Sequence, residues 1–238
     1  MNISSGLYLC YRAKNILLVF LFLFCSTYAF GSEISSFDYL SSKSDASEEV
    51  RYTLSWILDS ADNDNLPFAV IDKKNAEIFV FNNDGKFLVS EPVLIGISKS
   101  DIIDPKTLNA SLSAISEAKR VTPAGRFISM IGSDKHGKQL LWVDYEFAIA
   151  LHPVIDVPGQ DRRRRLITKT CQDKRITWGC INVSPALFQN VIIPLFQKKG
   201  IVYILPEEIS IENYIRKVSE PKISNQQDTA RGIRKNPG

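Results

Sequence analysis

The sequence predicts a mainly β protein, a β-rich α+β fold with a few peripheral helices. Three observations carry this. Short runs rich in β-branched and aromatic residues recur along the chain, an Asn-Asp-Gly turn joins two of them, and only two segments show convincing helical spacing.

The runs come in order. PFAVID, AEIFVFN and KFLVS read as strands, and Asn83-Asp84-Gly85 between the last two is a hairpin signal, because such residues accept the positive φ of a tight turn. PVLIGIS continues the pattern to Ser98. RFISMIG, the long run QLLWVDYEFAIALHPV and GIVYILP supply the later strands. The stretch from Lys99 to Arg120 is polar and reads as a long loop with one short helix around residues 110–119. VPGQDRRRRL reads as a polar loop.

The helices are marked by period. Val50, Leu54, Ile57 and Leu58 line one face of a helix within residues 47–61. A second helix opens at Ser184 as N-cap, with Pro185 in the first turn, where its missing N–H costs nothing. Leu187, Phe188, Val191, Ile192, Leu195 and Phe196 form its apolar face, and Pro194 is expected to bend or end it.

Residues 1–31 read as an export signal. Arg12 and Lys14 precede the apolar run Ile16–Phe24, and Ala29 and Gly31 fit a cleavage site before Ser32. The apolar run, taken to Phe30 at most, is shorter than the roughly 20 residues that span a bilayer. The membrane is therefore expected to matter only through export. Residues 32–65 form a polar leader and the first helix, 66–208 the folded β-rich domain, and 209–238 a polar tail expected to be disordered.

Charge and spacing exclude two function classes. Of 29 Lys and Arg, two fall in the signal, leaving 27 against 26 acidic residues, which is not the basic excess of a nucleic-acid binder. CxxC and HxxxH spacings are absent, so no metal site and no cofactor is expected.

The mature chain keeps two cysteines, Cys171 and Cys180, and two histidines, His136 and His152. His136 lies in the polar turn SDKHGKQ and reads as a surface residue. His152 ends a hydrophobic strand. In an exported protein the cysteine pair reads first as a disulfide. Two other readings of Cys180 compete with it: a small buried hydrophobe, and a nucleophile. A nucleophile needs an imidazole nearby, and Gly179 before Cys180 permits a tight turn whose amides, of residues 179 and 180, face a developing oxyanion.

TPAGRF (Thr122–Phe127), His152 in LHP and RITWGCINVSP together resemble the L,D-transpeptidase catalytic domain family, YkuD type, in its exported GCIN-motif variety. The resemblance runs roughly from Pro67 to Pro206. It implies a sandwich-like or barrel-like β fold with the site in one groove. It also implies Cys180 as nucleophile, His152 as its base oriented by the Pro153 carbonyl, and Gly179 in the oxyanion hole. Thr177, Trp178, Asn182, Arg175 and Arg165 are the substrate-contacting candidates. Trp178 stands where the family commonly has histidine, and Asn182 where it commonly has arginine. The implied chemistry is acyl transfer. Cys180 would form a thioester with a peptidoglycan tetrapeptide, release D-alanine, and pass the acyl group to an amine of another stem peptide or of a lipoprotein lysine. Water as acceptor would make the same site a carboxypeptidase or endopeptidase, and loss of turnover would leave a wall-binding domain. The periplasm is the implied location.

Overall fold

The computed structural model describes residues 46–220, apart from 109, 112 and 113. The expected signal, the leader up to residue 45 and the tail from residue 221 lie outside the described residues.

The β-branched and aromatic runs form strands. β1 is Phe68–Asp72, β2 Glu77–Phe81, β3 Phe87–Pro92, β4 Ile95–Gly96, β5 Gly125–Ser133, β6 Gln139–Asp144, β7 Ile149–Pro153, β8 Arg175–Thr177, β9 Ile181–Val183 and β10 Gly200–Ile204. The hairpin between β2 and β3 turns through Gly85 at φ 77°, with Asn82 Oδ1 accepting from the amides of Asp84 and Lys86. The expected single run from Gln139 to Val154 is broken into two antiparallel strands. Asp144 accepts the Phe147 amide and Ala148 takes a positive φ, which turns the chain between β6 and β7.

Eight strands hydrogen-bond in the order β3-β2-β1-β10-β5-β6-β7-β9. The pairings β1–β10 and β7–β9 are parallel and the rest antiparallel. Beyond β3 the chain returns to the opposite edge. Leu94 and Asn182 of β9 exchange two backbone bonds of 2.9 Å each, which nearly closes the sheet on itself. The fold is thus mainly β, with a nearly closed sheet.

Alternation along the strands divides the interior in two. Ala69, Ile71, Ile78, Val80, Leu151, Ile181, Val183, Val202 and Ile204 face one core, completed by Leu187, Phe188, Ile192 and Phe196. Phe68, Val70, Phe79, Phe81, Ile201 and Tyr203 face the other. Helix α1, Glu48–Ser60, covers the second core with Val50, Leu54 and Ile57; Ser47 caps it by accepting from the Val50 amide. Each large side chain buried in this way contributes about 1.5–3 kcal/mol, so both faces of the central strands help hold the sheet and its helices together.

Two expectations about irregular regions are corrected. VPGQDRRRRL contains a short helix, α2, Arg162–Leu166. In it Arg162 and Leu166, one turn apart, are the buried residues. The tail expected to be disordered from 209 is helical over Ile211–Ser219, capped by Ser210. Tyr214 explains why: its ring is buried in the second core and its hydroxyl donates to the Gly125 carbonyl. Among its described residues the loop from Lys99 to Arg120 has short 3-10 turns at Pro105–Thr107 and Glu117–Lys119.

The Ser184 cap is formed, with its hydroxyl accepting from the Leu187 amide. The helix it opens, α3, runs through Pro185–Leu187, a wider π turn at Phe188–Ile192, and Ile193–Leu195. Pro194 therefore does not end it at once. A proline offers no N–H to the preceding turn, and the wider turn lies immediately upstream. Helix Ile211–Ser219 is α4. Among the described residues no helix is long and apolar enough to cross a membrane.

Candidate active site

Parallel pairing of β7 with β9 brings the candidate residues together. The register sets Leu151 against Ile181 and His152 against Asn182. Leu151, Ile181 and Val183 point into the core, so by alternation His152, Cys180 and Asn182 share the other face. That face opens on a cavity of about 630 Å³ lined by His152, Cys180, Asn182, Trp178 and Arg162. A second cavity of about 500 Å³ reaches His152 and Cys180 from the side of Leu140, Trp142 and Phe188.

The turn carrying Cys180 is locked by hydroxyls. Thr177 Oγ1 accepts from the Gly179 amide at 3.1 Å and donates to the Cys180 carbonyl at 2.7 Å. Thr122, from TPAGRF, donates to the Gly179 carbonyl at 2.7 Å and accepts from the Gly96 amide at 2.9 Å. Gly179 has φ 130°, and a Cβ there would lie 2.4 Å from the Val121 carbonyl oxygen. Only glycine meets both conditions. The expectation that the amides of residues 179 and 180 both face an oxyanion is corrected here: the Gly179 N–H is already taken by Thr177.

His152 sits in a chain of four groups whose proton positions follow from one another. Arg162 Nη1 can only donate, so the atom of Asn182 facing it at 3.2 Å is Oδ1. Asn182 Nδ2 then faces His152 Nε2 at 3.1 Å as a donor, which makes Nε2 the unprotonated nitrogen. Nδ1 carries the proton and donates to the Pro153 carbonyl at 2.9 Å. This tautomer leaves Nε2 unprotonated, as a base requires, with its lone pair held at rest by Asn182 Nδ2.

Burial pushes the His152 pKa down, the Pro153 carbonyl partly counters this, and the Arg162 charge pushes it lower. Burial pushes the Cys180 thiol up, against the Ala150 amide and Arg162, which favour the thiolate. At rest the two cavities are therefore lined by a neutral thiol and a neutral imidazole. Cys180 Sγ lies 3.7 Å from the Ala148 carbonyl.

The other candidates divide. Trp178 lines the larger cavity, with the Arg120 guanidinium 4.5 Å above its ring. Thr177 and Asn182 act on Cys180 and His152 as described. Arg175 and Arg165, expected to meet substrate, are placed otherwise. Arg175 is buried in an ion pair with Glu207 at 2.6 Å and bonds the carbonyls of Lys73 and Ser98. Arg165 bonds the carbonyls of Gln160 and Asp173 and so fastens its own loop. Within the run Arg162–Arg165 it is Arg162 and not Arg165 that lines the groove, because the segment is helical where it reads as a loop. Taken as a helix, VPGQDRRRRL would have set Arg162 and Leu166 on one inward face.

Both cysteines are free thiols. Cys171 faces the Lys73 carbonyl and lies outside the groove lining. His136 is exposed in its turn. Among the described residues no cluster suits a metal ion.

No family model matches this sequence, and no curated protein does. Solved structures are similar to it at low identity. L,D-transpeptidase 1 of Mycobacterium tuberculosis is 14% identical, with a TM-score of 0.33 over 58% of this chain and 61% of that one. An L,D-transpeptidase from Mycobacterium smegmatis is 15% identical, with a TM-score of 0.33 over 58% of each chain. The helical cell shape determining protein Pgp2 from Campylobacter jejuni is 14% identical, with a TM-score of 0.39 over 60% of this chain and 49% of that one. The matched region thus spans about half to three fifths of these proteins. Each likeness concerns fold and not activity.

Proposed function

We propose that this chain is an exported cysteine acyltransferase of the L,D-transpeptidase type, acting on peptidoglycan stem peptides in the periplasm. The observation that carries the reading is the placement of Cys180 and His152 on one strand face where two cavities meet, with the Nε2 lone pair of His152 free of a proton.

The steps follow from that geometry. As Cys180 Sγ attacks the carbonyl carbon of a stem tetrapeptide, Nε2 takes the thiol proton; Asn182 Nδ2 gives up its hold on that lone pair. With the Gly179 amide engaged, the Cys180 amide is the donor left to the oxyanion. Collapse breaks the C–N bond, and Nε2–H protonates the departing amine of D-alanine. The thioester remains. A second amine attacks it, Nε2 accepts the amine proton, and the sulfur leaves and is reprotonated. Holding both groups in one register converts an encounter in solution into a positioned reaction. Two cavities sharing the thiol suit a donor on one side and an amine acceptor on the other, which favours transfer over hydrolysis. Neither step calls for a cofactor.

The test is a muropeptide assay on the reduced protein beside Cys180→Ala, with products read by mass spectrometry. Wild type should release D-alanine and form dimers, and Cys180→Ala should do neither. Trimmed monomers without dimers would identify a hydrolase, and untouched tetrapeptides and dimers in both samples would leave a wall-binding domain.

A further inference from the structure

Arg162 is a buried cation without an anion. It is 5% exposed, and its two bonds go to neutral side chains, Gln160 Oε1 at 2.7 Å and Asn182 Oδ1 at 3.2 Å. Among the described residues no carboxylate lies within 4.0 Å of its guanidinium, although Arg163, Arg164 and Arg175 each have one. Burying a charge in this way is costly, and such charges are normally paired. Arg162 lines the larger cavity, which Cys180 also lines.

Its position narrows what the missing anion is. One amide side chain, Asn182, separates Arg162 from His152 Nε2. On the reading of His152 as the group that protonates the leaving amine and deprotonates the attacking one, the reacting nitrogen sits against Nε2. In an α-amino acid the carboxylate carbon is two bonds from that nitrogen, about 2.5 Å away. An amine at Nε2 thus carries its own carboxylate within short reach, and Arg162 stands beyond Asn182 in the lining of the same cavity.

We propose that Arg162 binds the α-carboxylate adjacent to the amine that leaves or attacks, so that the site selects amino-acid-like leaving groups and acceptors. The inference rests on the acyl-transfer reading and names the chemistry that this site accepts. The guanidinium fork matches a carboxylate in two bonds, which a lone ammonium does not reproduce. One consequence concerns acceptors. An amine flanked by a carboxylate is a substrate, whereas a lysine ε-amine within a protein, with no carboxylate beside it, is a poor one.

The experiment compares two synthetic tetrapeptide donors that differ only at the terminus, one a free acid and one a carboxamide. Wild type, Arg162→Lys and Arg162→Gln are each assayed on both for kcat/KM. Wild type should prefer the acid by about tenfold to a hundredfold, the range of hydrogen bonds to charged groups. Arg162→Gln should lose the preference through a fall on the acid alone, and Arg162→Lys should keep part of it. Equal use of both donors by wild type, or the same preference in Arg162→Gln, would overturn the proposal. A second measurement does not depend on turnover. Calorimetric binding of the same two peptides to Cys180→Ala, with and without Arg162→Gln, should show the preference only where Arg162 is present. If wild type turns over neither donor while Cys180→Ala still prefers the acid through Arg162, the acyl-transfer reading fails and the carboxylate site stands. If binding shows no such preference, the carboxylate site fails.

Discussion

Arg162 and Arg175 are buried to nearly the same depth, at 5% and 6% exposure, yet their surroundings are opposite. Arg175 lies within a closed set of charges. It pairs with Glu207, while Lys73 pairs with Asp101 at 2.8 Å and lies 3.9 Å from the same Glu207. Burial alone would raise the Asp101 pKa, but the Lys73 ammonium and the amides of Glu207 and Glu208 outweigh it and hold the carboxylate ionised. This cluster ties the segment after β10 to the turn after β1. Arg162 has no such partner and lines the groove instead. The lesson is that burial does not separate a structural charge from a functional one. What separates them is whether the protein supplies the counter-charge.

Replacing Arg175 should have the largest consequence. Arg175→Ala removes the close partner of Glu207 and leaves it the longer contact to Lys73, which should cost about 3 kcal/mol, the low end for breaking a buried pair. For a domain of this size that is a fall in Tm of roughly 10 °C. Arg162→Met strands no charge but leaves the Asn182 and Gln160 oxygens short of a donor, and should cost about 1–3 kcal/mol, less than Arg175→Ala. Thermal melts of the two variants beside wild type decide it. A loss from Arg162→Met larger than that from Arg175→Ala would mean that its charge is part of the frame after all.

The same contrast explains what the sequence could and could not disclose. Strand runs, the Asn83-Asp84-Gly85 turn and the Ser184 cap act locally, so composition and spacing reveal them. The order of Thr122, His152 and Cys180 along the chain is also visible. Whether an arginine meets a carboxylate is not, because Arg175 finds Glu207 from 32 residues away in sequence. The tail's helix is legible and easily passed over: Ile211, Tyr214, Ile215 and Val218 recur at helical spacing and pack α4 on the second core, but the polar residues between and after them make the segment read as a solvated tail. The Gly179 amide looked free because nothing in the sequence says that the Thr177 hydroxyl folds back onto it.

Close in size is Gly179→Ala. The added Cβ meets the Val121 carbonyl oxygen at 2.4 Å in a backbone conformation that L-residues avoid, and strain plus displacement should cost roughly 2–4 kcal/mol. Because Thr122 and Thr177 both bond this residue, the displacement reaches Cys180. Alkylation of Cys180 by a small iodoacetamide should therefore change in rate along with the melt. An unchanged rate would show that the thiol is held independently of the turn.

The pH dependence of activity reads charge and not stability. His152 must be unprotonated at Nε2 to take the thiol proton, and burial together with Arg162 holds its pKa down. The acid limb of kcat/KM therefore lies below the ordinary histidine value of about 6.5. Removing the positive charge in Arg162→Met removes one of the influences that disfavour the imidazolium, so its pKa rises and the limb moves to higher pH. Arg175, whose charge is spent on Glu207 and which is not among the groups acting on His152, should leave the limb where it is when replaced by methionine in a form that still folds. A pH series of kcat/KM for the three proteins checks both halves. A limb that moves with Arg175, or stays with Arg162, would mean that the groove is not where the unpaired charge is felt.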